Sequence, residues 1–228
     1  MLILAVDTST EYCSVALLQD DELLQEINDK TPYSHNKKLF KNIDTILKTN
    51  EIDVNDIELL AIGSGPGSFT GLRVGMSAMK GISLASNIKL LPIRSIDAVG
   101  LAGLVELEGL AGLEHSQVNV VRVLLDGKQK DMFIADYKLE GGNIILISDI
   151  IVKGYDELEG TGNISVGNIS KDIIKINDYY DEYFPKAYYI GKIAYQYRDK
   201  KVKDLEIEPQ YYKNFKISKS KKVPLIDL

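Results

Sequence analysis

The chain opens with apolar runs separated by polar turns. Leu2 to Val6 is apolar and β-rich, Ser14 to Leu18 is a second such run, and the polar stretch Asp7-Thr8-Ser9-Thr10 joins them. Asp20-Asp21 marks a hairpin into a third strand, Leu23 to Ile27. Short links between neighbouring strands predict an antiparallel start. The period then changes. Leu39, Phe40, Ile43, Ile46 and Leu47 recur at helical spacing, after a candidate N-cap at Ser34 that follows Pro32, and Asn50 offers a stop. Leu59 to Gly63 reads as a buried strand, a long helix is expected from Ser68 or Thr70 to about Ser86, and Leu90 to Ile93 is the next strand. Alternation of strands and helices around a Gly-rich turn predicts an α/β architecture.

The second half is patterned less clearly. Ala98 to Leu113 reads as helix despite four glycines. Val118 to Leu125 and Met132 to Tyr137 alternate like strands around an Asp126-Gly127 turn, a hairpin signal. Asn143 to Val152 reads as one further strand, Glu159 to Gly167 as a loop leading into a strand, and Tyr188 to Lys200 as a helix. No internal repeat is visible. The shift in pattern near residue 100 suggests an N-terminal α/β domain over 1–102, rejoined by 187–228, and a smaller C-terminal α/β domain over 103–186.

Composition narrows the function. With 228 residues, 45% apolar and 26% charged, the chain is long enough for a sizeable core and is neither disordered nor fibrous. Thirty-three acids against 27 bases give a net charge of −6, which does not suit a general nucleic-acid binder. The one cysteine, Cys13, cannot form an internal disulfide and reads as a small buried hydrophobe. No apolar run approaches the roughly 18 residues of a membrane span, and Asp7 interrupts the start too early for a signal peptide, so a soluble cytoplasmic protein is expected.

The most informative stretch is the glycine-dense GSGPGSFTGLRVG, residues 63–75. A Gly-rich turn that opens a helix is a ready anion site. It is not a Walker A loop, because Leu72-Arg73 stands where Lys-Ser/Thr is required, and it is not a dinucleotide fingerprint, because Ser68 replaces the third glycine. The alternative is a tight turn with close helix packing. In the helix that follows, Gly71, Val74, Gly75, Ala78, Ile82 and Ala85 are assigned to one side and Leu72, Met76, Met79 and Ser83 to the opposite side. A helix apolar on two faces is either buried fully within the chain or covered by a partner.

Catalytic chemistry is sparse. The two histidines, His35 and His115, form no HxxxH or HExxH motif, there is no CxxC, and no GxSxG elbow is present. Asp7, Asp97 and Asp126 could serve as bases or Mg²⁺ ligands, or simply as turn and cap residues. Nine of 13 tyrosines lie between residues 179 and 212, which fits amphipathic packing better than an RNA-stacking platform. Lys213 to Lys222 holds five lysines and reads as a solvated tail.

Three segments carry a resemblance. The opening LAVDTST…CSVALL, the block GPGSFTGLRVGMSAMKGI and the closing EPQYY resemble the bacterial TsaB family, also called YeaZ. A weaker likeness links DGKQKDMF, residues 126–133, to that family's D-A-R-x-x-E-V-Y hairpin, from which Gly127, Lys128, Asp131 and Phe133 depart. The resemblance implies an actin/Hsp70/sugar-kinase-like (ASKHA) fold of two related α/β domains. It implies a role in making N6-threonylcarbamoyladenosine at position 37 of tRNA, as the non-catalytic partner that holds the transferase TsaD active. It further implies a TsaE-like ATPase in the complex, tRNA contacted only through the complex, ATP used by the assembly with no cofactor bound by this chain alone, and no membrane association. The catalytic paralogue carries a metal-binding H-x-x-x-H, where Ser95 and Val99 stand here. The family contact is a four-helix bundle, which implies an interface of Leu39, Phe40, Ile43 and Leu47 on one helix and Leu72, Met76 and Met79 on the other. That face would also support a homodimer in isolation. Asp7, Thr8, Ser9 and Thr10 resemble the superfamily's first phosphate loop but lack its glycine, which makes the loop vestigial. The competing expectation is a stand-alone enzyme, either a peptidase or an ATP-dependent phosphotransferase.

Overall fold

The computed structural model of the chain describes residues 1–30, 35–110, 119–159, 163–199 and 207–212. Strands β1 (Leu2–Asp7), β2 (Tyr12–Gln19) and β3 (Glu22–Lys30) form the expected antiparallel meander. Strands β4 (Leu59–Gly63) and β5 (Lys89–Ile93) add parallel to β1, giving a five-stranded sheet of order β3-β2-β1-β4-β5. Helices α1 (His35–Thr49) and α2 (Phe69–Ser86) pack against each other and cover one face of this sheet. That face contributes Leu4, Val6, Val15, Leu17 and the Cys13 thiol to one core cluster. Helix α2 begins where its sequence signals place it: Ser68 is its N-cap, and its hydroxyl accepts the Gly71 N–H. Ser34 lies outside the described residues.

Helix α3 (Ser95–Leu110) leads to the second sheet. Strands β6 (Val121–Asp126), β7 (Asp131–Glu140), β8 (Asn143–Leu146), β10 (Ile164–Gly167) and β11 (Tyr179–Tyr180) take the order β11-β10-β6-β7-β8, and β9 (Ile151–Gly154) pairs with β7. Strands β6, β7 and β8 are antiparallel, while β10 and β11 join β6 in parallel. This repeats the layout of the first sheet: a three-stranded meander extended by two parallel strands beyond its first member. The architecture is the two-sheet actin/Hsp70/sugar-kinase-like fold.

Helix α4 (Ala187–Gln196) returns to the first sheet and packs on β1 and β2, while α3 packs on β6 and β7. The two helices touch, so they form a shared layer between the sheets. One cluster runs through it from Ile3 and Leu18 through Leu104 and Ile190 to Val121 and Phe133. Glu106 ties the layer together, accepting bonds from Lys186 Nζ at 2.8 Å and the Tyr189 hydroxyl at 3.0 Å. The glycines of α3 have a packing role. A Cβ at Gly100 would stand 2.7 Å from the Tyr137 ring, so the gap in the side-chain row is what lets the helix lie on the sheet. Tyr179, Tyr183 and Tyr189 are buried, in accord with the packing reading of the tyrosine-rich stretch.

Two sequence expectations change, and one hairpin forms as expected with its own turn geometry. The strand expected over Asn143 to Val152 is two strands, β8 and β9, both on β7. It breaks because the Ser148 hydroxyl accepts the Asp136 N–H that a continuous strand would have used. The hairpin at Asp126-Gly127 exists, but the left-handed residues are Lys128, Gln129 and Lys130, with φ of 61°, 57° and 65°. Gly127 instead admits the Asp131 carbonyl, which would lie 3.0 Å from a Cβ there. Helix α4 ends at Gln196 rather than Lys200, and Lys200 lies outside the described residues. Among the described residues no helix is long and apolar enough to cross a membrane.

Candidate functional site

The β1–β2 turn, the β4–α2 loop and the start of α3 converge on Asp7. The carboxylate is 1% exposed. Its Oδ1 accepts the Ser9 N–H at 2.8 Å and the Ser9 hydroxyl at 2.7 Å, and its Oδ2 accepts the Ser95 hydroxyl at 2.6 Å. Burial pushes the acid up to about 6 against these three bonds. Ser95 Oγ in turn accepts the Gly65 N–H at 3.1 Å, and the Gly65 carbonyl accepts the Ser95 N–H at 2.7 Å. Gly65 has a φ of 108°, a conformation that other residues rarely adopt.

The glycine block packs on the β1–β2 turn in this arrangement. The Ser9 carbonyl accepts the Ser68 N–H at 2.6 Å, so a chain carbonyl occupies the N-terminus of α2. The Thr8 hydroxyl donates to the Gly71 carbonyl at 2.7 Å. A Cβ on Gly67 would stand 2.3 Å from the Ser9 carbonyl oxygen, and one on Gly71 would stand 2.0 Å from that of Thr8. These glycines let the helix start press directly onto the β1–β2 turn. Of that turn, Asp7, Thr8 and Ser9 are buried and Thr10 is half-buried. The Ser9, Ser68 and Gly71 amides are thereby engaged within the chain.

The paralogue's metal chemistry does not fit these residues. Ser95 spends its hydroxyl on Asp7, and Val99 is fully buried in the inter-sheet core. Neither offers an imidazole, and among the described residues no group of three or more His, Cys, Asp or Glu could hold a metal ion. The other two candidate acids also have structural partners. Asp97 accepts Arg94 Nε at 2.8 Å and the Tyr137 hydroxyl at 2.8 Å. Asp126 accepts the Lys128 N–H, Lys128 Nζ and the Tyr155 hydroxyl. Burial alone would raise the Asp126 carboxyl, but these bonds hold it below its ordinary value. His115 and the lysine-rich tail lie outside the described residues, and only the backbone of His35 is described.

The residues assigned to a partner face separate. Leu39, Ile43, Leu72, Met76 and Met79 are buried within the chain, Leu47 is half-buried and Phe40 is 56% exposed. The helical geometry explains this. At roughly 100° per residue, the glycine side and the methionine side of α2 lie about 120° apart, not opposite, and they join into one broad face that is buried at its centre and exposed at Ala85 on its edge. Its solvent face carries Thr70, Arg73, Ser77, Gly81 and Leu84 instead. Leu84 is 73% exposed, a position that an apolar-stripe reading passes over because it stands alone among polar and small residues.

Comparisons with known proteins agree with this fold. The family model for TsaD, tRNA N6-adenosine threonylcarbamoyltransferase, matches residues 29–205. A TsaB, named as a tRNA threonylcarbamoyladenosine biosynthesis protein, from Haemophilus influenzae is 36% identical over 135 residues, covering 59% of this chain and 53% of that protein. Its namesake in Escherichia coli is 30% identical over 144 residues, covering 63% and 58%. The matched stretch thus spans little more than half the length of these curated relatives. The solved structure of YeaZ from Pseudomonas aeruginosa superposes with a TM-score of 0.77 at 21% identity, covering 92% of this chain and 99% of that one, a likeness of fold.

Proposed function

This chain belongs to the TsaD-related family as a TsaB (YeaZ)-type member, and on that premise we propose that it serves tRNA threonylcarbamoyladenosine formation as a non-catalytic subunit that binds and activates a TsaD-like transferase. One observation carries the mode of action. Two adjacent helices cover a sheet, and each presents a large apolar side chain to solvent, Phe40 at 56% and Leu84 at 73%. Phe40 and Leu47 stand seven residues apart on one flank of α1, where a partner helix could cover both. Leu84 anchors the solvent face of α2. Gly81 beside it has open space where a side chain would stand, with no atom within 4 Å, and would let a partner backbone approach. The non-catalytic role is supported by Ser95 and Val99, which serve Asp7 and the core where the paralogue's metal ligands would stand.

In this reading the TsaD-like partner supplies the transferase chemistry and a TsaE-like ATPase consumes ATP. The chain meets tRNA only through the complex and binds no cofactor alone, and the same helix face pairs with a second copy when no partner is present. The test is threonylcarbamoyl-adenosine formation on tRNA in a reconstituted mixture of transferase, ATPase and threonylcarbamoyl-AMP synthase. Product is expected only when the chain is present. It is expected to be lost with a Phe40→Glu/Leu84→Glu variant that keeps its circular dichroism and melting temperature. Equal product without the chain would reject the subunit reading, and full activity of the double variant would reject this face.

A further inference from the structure

A cavity of about 340 Å³ lies where β5, the end of α4 and strands β7 and β8 converge beside the entry to α3. Both sheets contribute to it, the setting in which ligand pockets recur, and its volume is at the small end of such pockets. The lining is mixed: Ile93, Ile144 and Ile193 are buried and Leu146 half-buried on its apolar part, while Arg94, Asp97, Tyr137, Tyr197 and Gln210 make up its polar part.

The polar end has one kind of chemistry to offer. Asp97 is 8% exposed, and each of its carboxylate oxygens already accepts a bond, one from Arg94 Nε and one from the Tyr137 hydroxyl. The Arg94 side chain remains 34% exposed. A guanidinium carries five N–H donors, so the bond to Asp97 and the neighbouring Tyr212 hydroxyl leave others for a ligand. Gln210, also on the lining, accepts the Tyr212 hydroxyl at its Oε1, 2.7 Å away, which turns its amide nitrogen into the available group. Both Asp97 oxygens and Gln210 Oε1 thus already accept a bond, while Arg94, a permanent cation, and the Gln210 amide nitrogen bring donors to the lining.

A mixed chamber with an isoleucine and leucine wall on one side and a guanidinium and an amide donor on the other suits a ligand with an acceptor-only head and an apolar body. We propose that this cavity binds a small amphipathic carboxylate, its head on Arg94 and Gln210 and its alkyl or aryl body against Ile93, Ile144, Leu146 and Ile193. Arg94 then bridges two carboxylates, the buried one that fixes its plane and the one supplied by the ligand. The site stands apart from the outward faces of α1 and α2, so it is independent of the partner reading.

The probe is phenylbutyrate, titrated into the full chain by calorimetry and ligand-observed NMR, with phenylbutyramide as its uncharged counterpart. Phenylbutyrate is expected to bind more tightly than the amide, and Arg94→Gln is expected to weaken it by about tenfold or more while leaving the amide unchanged. Leu146→Trp, which fills the chamber from its half-exposed mouth, is expected to abolish binding of both. If Arg94→Gln fails to fold, the wild-type difference between acid and amide reads the charge and Leu146→Trp reads the location. No binding of phenylbutyrate at millimolar concentration, equal binding of acid and amide, or undiminished binding by Leu146→Trp would each overturn the proposal.

Discussion

Asp7 carries a carboxylate to a place that water does not reach. Its pKa is raised from an ordinary 3.8 to about 6 because burial outweighs the bonds from Ser95 and Ser9. Between pH 4 and pH 6 the native state keeps a proton that the unfolded chain has released, so this group makes stability fall as pH rises through that window. The cost at neutral pH is about 3 kcal/mol. Asp7→Asn has no charge to bury, so in urea unfolding it should gain about 3 kcal/mol on the wild type between pH 4 and pH 7. A gap that does not change with pH would mean that the serine bonds compensate the ionised acid fully. Cys13 is an independent case. It is fully buried and its thiol is pushed up to about 12, so iodoacetamide should label it only in denaturant. The buried character of Cys13 is legible from its apolar neighbours. The partner of Asp7 is not, because Ser95 lies 88 residues away and only the closed fold brings it within reach.

Helix α2 shows what periodicity captures and what it loses. Its span and its cap can be read from the pattern, because a capping serine and an apolar stripe are local signals. The pattern does not separate a helix with two faces from one with a single broad face, since that depends on what packs against it. Substitution by alanine separates the helix's glycines by role. Gly71→Ala would bring a methyl 2.0 Å from the Thr8 carbonyl oxygen, backbone that cannot easily move, and should cost about 2–3 kcal/mol. Gly81→Ala meets nothing within 4 Å and should stabilise the isolated chain by about 0.5–1 kcal/mol, since alanine is the better helix former. Denaturant melts of the two variants check both signs. A neutral Gly71→Ala would show that the glycine block is not held against the β1–β2 turn. Strands β8 and β9 likewise read as one run in the sequence, because the Ser148 bond that parts them is made to a residue of another strand.

The whole molecule repeats one plan that its sequence conceals. Strands β1, β2, β3, β4 and β5 correspond in order and direction to β6, β7, β8, β10 and β11, yet no repeated residue pattern marks the second half. What a sheet needs is an apolar inner face, and many sequences supply one. The outer faces have diverged. In the first sheet α1 and α2 cover it, while in the second Leu124, Met132 and Ile134 pack under Ile169, Ile174 and Tyr179. The inner faces still depend on each other, because α4 reaches the first sheet only after the chain has completed the second. A fragment of residues 1–110 would therefore expose Ile3, Ala5, Ala16, Leu18, Leu59 and Ala61, the inner face that the shared helical layer covers. That fragment is expected to show no cooperative urea transition and to bind a hydrophobic dye. The full chain is expected to unfold in one transition, coincident by circular dichroism and tyrosine fluorescence. Ile190→Ala, in the middle of that layer, should lower the single midpoint by the equivalent of about 2–5 kcal/mol without splitting it. A folded 1–110 fragment, or two resolved transitions in the full chain, would show instead that each sheet holds a core of its own.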